Sequence, residues 1–131
     1  MKTIEISQDQ WAHFCERVGE LHHGAMVDIT VEEPEGGTKP VAEGAQLRSI
    51  VIETQKDACN DIMIIEVAGP ADKGVQQHRI IEPIHIRLKD GKNNRYNHIH
   101  ILGENGNTVL TLHPGLDPVL TSEFSTAHQS T

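Results

Sequence analysis

Aromatic side chains are scarce in this chain: Trp11, Phe14, Tyr96 and Phe124 are the whole stock. A core built here must be aliphatic, made from Ile, Val and Leu, and a nucleic-acid surface that stacks bases on aromatic rings is excluded. Cysteine is equally sparse. Cys15 and Cys59 cannot make a disulfide framework. Cys15 falls on an apolar helical stripe, where a thiol behaves as a small hydrophobe. Cys59 sits in a polar turn between Asp57 and Asp61, the wrong neighbours for a reactive thiolate. No apolar run reaches the length of a signal peptide or a membrane span, so the expected compartment is a reducing cytoplasm.

Positive charge is also in deficit. Eleven Lys and Arg face 19 Asp and Glu, a net charge of −8. Residues 1–70 hold the whole imbalance, with 13 acids and 5 bases; residues 71–131 carry 6 of each. Such a chain repels phosphate backbones, and Arg79, Arg87, Lys89, Lys92 and Arg95 are too few to reverse that. Nucleophile and nucleotide signatures are absent too: no G-x-S-x-G, P-loop, dinucleotide fingerprint, H-E-x-x-H or C-x-x-C occurs.

What is present organises the chain. With 131 residues, 37% hydrophobic and 23% charged, it fits one soluble globular domain. Ser7 and Gln10 have capping-box spacing, and Ile6 with Trp11 has that of a hydrophobic staple. Trp11, Phe14, Cys15, Val18 and Leu21 follow at helical intervals, predicting a helix over 8–22 that stops at Gly24. Alternation predicts a strand at 25–32. Pro34, Gly36, Gly37 and Pro40 predict a loop up to Gly44. Strands at 46–54 and 61–67 read as nearly continuous apolar runs, implying burial on both faces or a bulge. Strands at 80–88, 96–102 and 107–113 form a meander. Pro83 cannot donate to a ladder, so its strand must be an edge or carry a bulge there. The compact domain is expected to span 1–113, and 114–131 to be an extended or disordered tail with Leu116, Val119 and Leu120 docked.

Asn105-Gly106 is a strong hairpin signal. With those two residues at the turn, Ile101 faces Leu110, Ile99 faces Leu112, His98 faces His113 and His100 faces Thr111. Matching apolar faces puts His85 opposite His98 or His100. The fold class is therefore α+β, mainly β: an N-terminal helix packed on a strongly bent antiparallel sheet or a small SH3/Sm-like barrel of about six strands. An open sheet with the helix across one face is the alternative.

The order of motifs resembles a bacterial family of small uncharacterised proteins, a domain of unknown function. It comprises W-x-x-F (Trp11, Phe14), a strand with Gly24, Val27, Ile29 and Val31, and a Lys56-Asp57 turn before Ile62 to Val67. Then come His78, Arg79, Ile80, Pro83 and Ile86, and a closing Gly-turn hairpin. The likeness covers about residues 4–113. It implies bacterial origin and one compact domain, and it implies no activity.

Three constellations are candidates for function. His85, His98, His100 and His113 share one sheet face, and three imidazoles at such spacing can hold zinc, nickel or copper; a surface that merely uses histidine is the competing reading. His22-His23 at the helix end most simply meets the last carbonyls. His78 and Arg79 could bind a small acidic ligand, the arginine bidentately, or satisfy loop backbone and pair with acids. The leading expectation is a non-catalytic binding module whose partner is protein or itself, since small sheets with an open edge pair readily. A metal-binding histidine face ranks second. An enzyme or binder of a small acidic ligand through Arg79 ranks third.

Overall fold

A computed structural model describes residues 3–55, 60–69, 74–90, 96–104, 106–113 and 115–129. Eight strands make a single antiparallel sheet: β1 (Thr3–Ile6), β2 (Met26–Glu32), β3 (Thr38–Gln55), β4 (Asn60–Ala68), β5 (Val75–Ile81), β6 (His85–Asp90), β7 (Tyr96–Gly103) and β8 (Gly106–His113). Their order is β1-β6-β7-β8-β2-β3-β4-β5. The helices are α1 (Trp11–Leu21) and α2 (Pro118–Gln129). The mainly-β expectation holds, with eight strands in place of about six. The barrel does not: the sheet is open, with β1 at one end of the order and β5 at the other.

The sheet has one inner face. Val27 and Ile29, Ala45, Leu47 and Ile50, Met63, Ile65 and Val67, Ile86 and Leu88, Ile99 and Ile101, and Leu110 and Leu112 line it, all buried. Trp11, Phe14, Cys15 and Val18 of α1 close over that face, as the stripe predicts. Leu21 departs from the stripe and is exposed. The indole Nε1 of Trp11 donates to the Ile6 carbonyl at 2.9 Å, so the anchor ties α1 to the end of β1. Burial pushes the Cys15 thiol up to about 12, which makes it inert.

Four boundaries differ from the sequence reading, and one expected bulge is present. The capping box does not form: Ser7 makes no side-chain cap bond, and a 3-10 turn at Gln8–Gln10 precedes α1. The predicted 80–88 strand breaks into β5 and β6 at Glu82, whose φ is 52°, followed by Pro83, which has no N–H to give a ladder. β3 begins at Thr38, inside the expected loop, because Pro40 lies opposite Thr30 where register shifts already interrupt the β2–β3 ladder. A further shift between Leu47 and Ser49 turns Ile50 and Ile52 inward after Ala45 and Leu47, which explains the apolar run as a bulge. The expected tail carries α2. Leu116, Leu120 and Phe124 are buried, Val119 is exposed, and the Phe124 ring meets Phe14 edge-on at 5.1 Å between centroids.

The β7–β8 hairpin is shifted by two residues. Gly103 pairs with Gly106, so Ile99 faces Leu110, His98 faces Thr111 and His100 faces Val109. Inward and outward faces survive, because the slip is an even number. Gly106 stands in the strand because the neighbouring chain is too close for a side chain: a Cβ there would lie 2.4 Å from the Glu32 carbonyl oxygen. Most of the turns expected at 55–60 and 90–94, and Cys59 with them, lies outside the described residues.

Candidate functional site

On the outer face of the sheet, side chains at alternate positions form a polar field across β1, β6, β7, β8 and β2. Register places Glu5 beside Arg87, Arg87 beside His100, Lys89 beside His98, His98 beside Thr111, and Thr111 beside Asp28. All four histidines of the sequence-predicted cluster face this way. Their individual bonds hold them apart.

His85 lies opposite Leu102, not opposite His98 or His100, because β6 begins only after the Pro83 break. Its Nδ1–H donates to Glu5 Oε2 at 2.7 Å, and Arg87 Nε donates to Glu5 Oε1 at 3.0 Å. The His85 bond, with Arg87 adding to it, holds the Glu5 carboxyl below its usual range. His113 sits opposite Met26 and reaches Asp28, its Nε2–H donating to Oδ2 at 2.7 Å. Oδ1 of the same Asp28 accepts the Gly44 N–H at 2.7 Å. That backbone bond first, and His113 second, pull the Asp28 carboxyl down.

His98 and His100 stand edge to face with ring centroids 6.3 Å apart. His98 Nδ1 is 3.1 Å from Thr111 Oγ1. Asn107 Nδ2 donates twice, to Glu32 Oε1 and to His100 Nδ1, both at 2.9 Å. An imidazole whose Nδ1 accepts is neutral, with its proton on Nε2. Burial is the first cause that lowers both rings' affinity for a proton, joined by His113 for His98 and by Lys89 for His100. Among the described residues, no three of His, Cys, Asp and Glu converge as a metal-ligating group. The four predicted ligands thus share a face and meet four different partners.

The other candidates are separated as well. His78 and Arg79 are neighbours on β5, so they point to opposite faces. His78 turns inward, its Nε2 is 3.3 Å from the buried Thr108 hydroxyl, and burial lowers its proton affinity. Arg79 is exposed on the outer face, opposite Ile64. His22 Nε2 accepts the backbone N–H of Asp117 at 3.1 Å, tying the end of α1 to the approach to α2.

The outer face changes character across β3, β4 and β5. There Val51, Ile62, Ile64 and Ile81 lie in adjoining register, Val51 opposite Ile64 and Ile62 opposite Ile81. Val51 is 43% exposed, Ile81 37% and, at the far end of β5, Val75 58%. The sequence reading took these runs as doubly buried or bulged: Ile64 on the outer row is indeed buried and β3 is bulged, while Val51 alone of the outward aliphatic residues in these two runs is exposed. The signal for an outward aliphatic row was the isoleucine at 62 and 64 on a strand whose inner row was already complete.

These features define a class: an open, one-layer antiparallel sheet whose inner face is closed by two helices and whose outer face is half polar, half aliphatic. The chain belongs to the family described as "Family of unknown function (DUF5335)", whose model matches residues 2–115. No curated protein and no solved structure matches it.

Proposed function

We propose that this protein is a non-catalytic binding module that adds a protein strand to the open edge of β5, and that the strand it takes is β5 of a second copy. One observation carries the reading: β5 ends the sheet with seven residues and with Val75 and Ile81 exposed at its two ends. Its last residue is tied down, since the Ile81 carbonyl accepts the Glu104 N–H at 2.9 Å, and the rest of the edge is a template for another strand. Two copies of β5 run antiparallel about a two-fold centred on His78 would set Val75 against Ile81 and Gln77 against Arg79, so apolar meets apolar and no like charges oppose. The aliphatic row of Val51, Ile62 and Ile64 would then continue across the junction.

The opposite edge supports the contrast. β1 has four residues, carries Glu5 outward, and packs against α2. Short, charged and covered edges resist pairing. Bacterial origin, carried by the family likeness, and a cytoplasmic setting, in keeping with the buried free thiol of Cys15, complete the reading.

Sedimentation equilibrium of the wild type and of Ile81→Lys tests it. The wild type should fit a reversible monomer–dimer equilibrium. Ile81→Lys, an exposed change that leaves the core alone, should sediment as monomer with unchanged circular dichroism. A wild type that stays monomeric at every concentration, or a variant that dimerises as well as the wild type, would reject the second copy as the occupant.

A further inference from the structure

Strands β6 and β7 place Arg87, Lys89, His98 and His100 in a two-by-two array on the outer face, Arg87 opposite His100 and Lys89 opposite His98. Directly opposed residues of this kind have β-carbons roughly 4.5–5.5 Å apart. Beside them is a cleft of about 200 Å3 lined by His85, Arg87, Lys89, His100, Leu102 and Asn107. No carboxylate is in that lining. It carries two permanent cations, Arg87 and Lys89, in a chain with net charge −8.

The nearby acids, Glu5 and Glu32, are each bonded to residues of this lining. Glu5 is held by His85 and by Nε of Arg87, which leaves the two terminal guanidinium nitrogens of Arg87 as donors. Glu32 is held by Asn107. Because Asn107 also donates to Nδ1 of His100, that ring offers Nε2–H as a donor. Lys89 has no ion pair among the described residues. The cleft therefore combines a planar cationic fork, a compact ammonium and a neutral N–H, drawn from two strands. A donor set without acceptors calls for an anion, and one spread over two strands calls for oxygens that do not lie in one plane.

We propose that this cleft is a binding site for a phosphate group, with Arg87, Lys89 and Nε2–H of His100 as its donors. Of the acidic first half of the chain, Glu5 and Glu32 stand at the cleft and are already paired, and charges beyond about 8 Å are largely screened at physiological salt. The site is independent of the β5 edge and stands whether or not the chain dimerises.

The test is a titration of the full chain, followed by backbone and imidazole NMR signals, with inorganic phosphate, methyl phosphate and acetate at constant ionic strength. Phosphate should give saturable shifts at the amides of 85–89, 98–102 and 107 and at the His100 ring, with acetate giving a much smaller response. Lys89→Gln should bind roughly tenfold more weakly, the loss of one charge-assisted hydrogen bond, while Lys39→Gln, on another strand, should bind as the wild type does. Methyl phosphate binding as tightly as phosphate would assign the site to phosphomonoesters; much weaker binding would assign it to the free ion. Shifts that never saturate, an equal response to acetate, or a Lys89→Gln protein that titrates like the wild type would overturn the proposal. The same spectra report whether the variant is folded.

Discussion

The outer faces of the two halves of this sheet solve one problem differently. On β6, β7, β8 and β2, most of the outward polar side chains are bonded to a neighbour: Glu5 of β1 to His85 and Arg87, Asn107 to Glu32 and His100, Asp28 to His113. On β3, β4 and β5 the outward positions mix aliphatic residues with Glu53, Glu66, Gln77 and Arg79, and offer water Val51, Ile81 and Val75. The inner face is largely aliphatic and buried in both halves, with the His78–Thr108 pair as a polar contact on it. Because the fold asks the same of each half inside, the outward difference is not required by folding. Exposed aliphatic residues beside the β5 edge are what the proposed pairing would cover. A polar row with its acids occupied marks a surface that stays wet and can receive a charged ligand.

The largest expected effects fall on the shared inner face. Leu110→Ala in the polar half and Ile65→Ala in the aliphatic half should each cost about 2–5 kcal/mol in urea unfolding, since both side chains are fully buried. Closely similar costs support one continuous core; a large cost in one half alone would show two loosely coupled halves.

Next comes the polar network. Asp28→Ala removes the acceptor of both the Gly44 N–H and His113, and should cost about 1 kcal/mol after allowing for solvent screening of a part-exposed carboxylate. Its pH dependence has two stages. His78, His98 and His100 bind protons less readily folded than at the ordinary value of 6.5, so the unfolded chain takes up more protons below that value. Their stabilising effect is full above pH 6.5 and declines as pH falls through and below it. Asp28 and Glu5 are depressed from 3.8 and 4.5, so their contribution is present above those values and is lost as pH falls through the folded ones. Urea midpoints should therefore fall from neutral pH toward mild acid, then again in strong acid. Asp28→Ala should flatten only the second fall. A midpoint that rises on mild acidification would contradict the assignment of neutral, half-buried imidazoles.

Smaller still is the aliphatic row. Val51→Thr should change stability by no more than about 0.5 kcal/mol, because its side chain is substantially exposed, yet weaken association. The smallest effect belongs to Glu123→Gln, which loses part-exposed contacts to His13 and Arg17 at 3.3 and 3.4 Å and should cost less than about 0.5 kcal/mol.

Much of this was legible in the chain. The stripe of Trp11, Phe14, Cys15 and Val18 gave α1, and period-two alternation put the four histidines on the outward face, because parity is a local property. Register is not local. Asn105-Gly106 carries a turn signature, but Gly106 is a glycine for the sake of the Glu32 carbonyl beside it, and that contact joins residues far apart in sequence. Four-residue β1 is too short to show a period. The first part of β3 hid behind Pro40 and Gly44, which bend and bulge the strand without ending it. Leu116 just before α2, and Leu120 and Phe124 within it, are buried at four-residue spacing amid Ser and Thr, a composition that reads as tail until Phe14 supplies the other half of the contact. The histidines' faces could be read; their partners, Asp28, Glu5, Asn107 and Thr111, depend on which strands lie side by side.

The most direct test of the central contrast between the two edges is amide hydrogen exchange of the full chain at low and high protein concentration. Pairing through β5 predicts that amides of 75–81 gain protection as concentration rises, while those of 3–6 on β1 do not change. Protection of 75–81 that is the same at both concentrations, or that rises equally on β1, would contradict the assignment of β5 as the edge that takes a second strand.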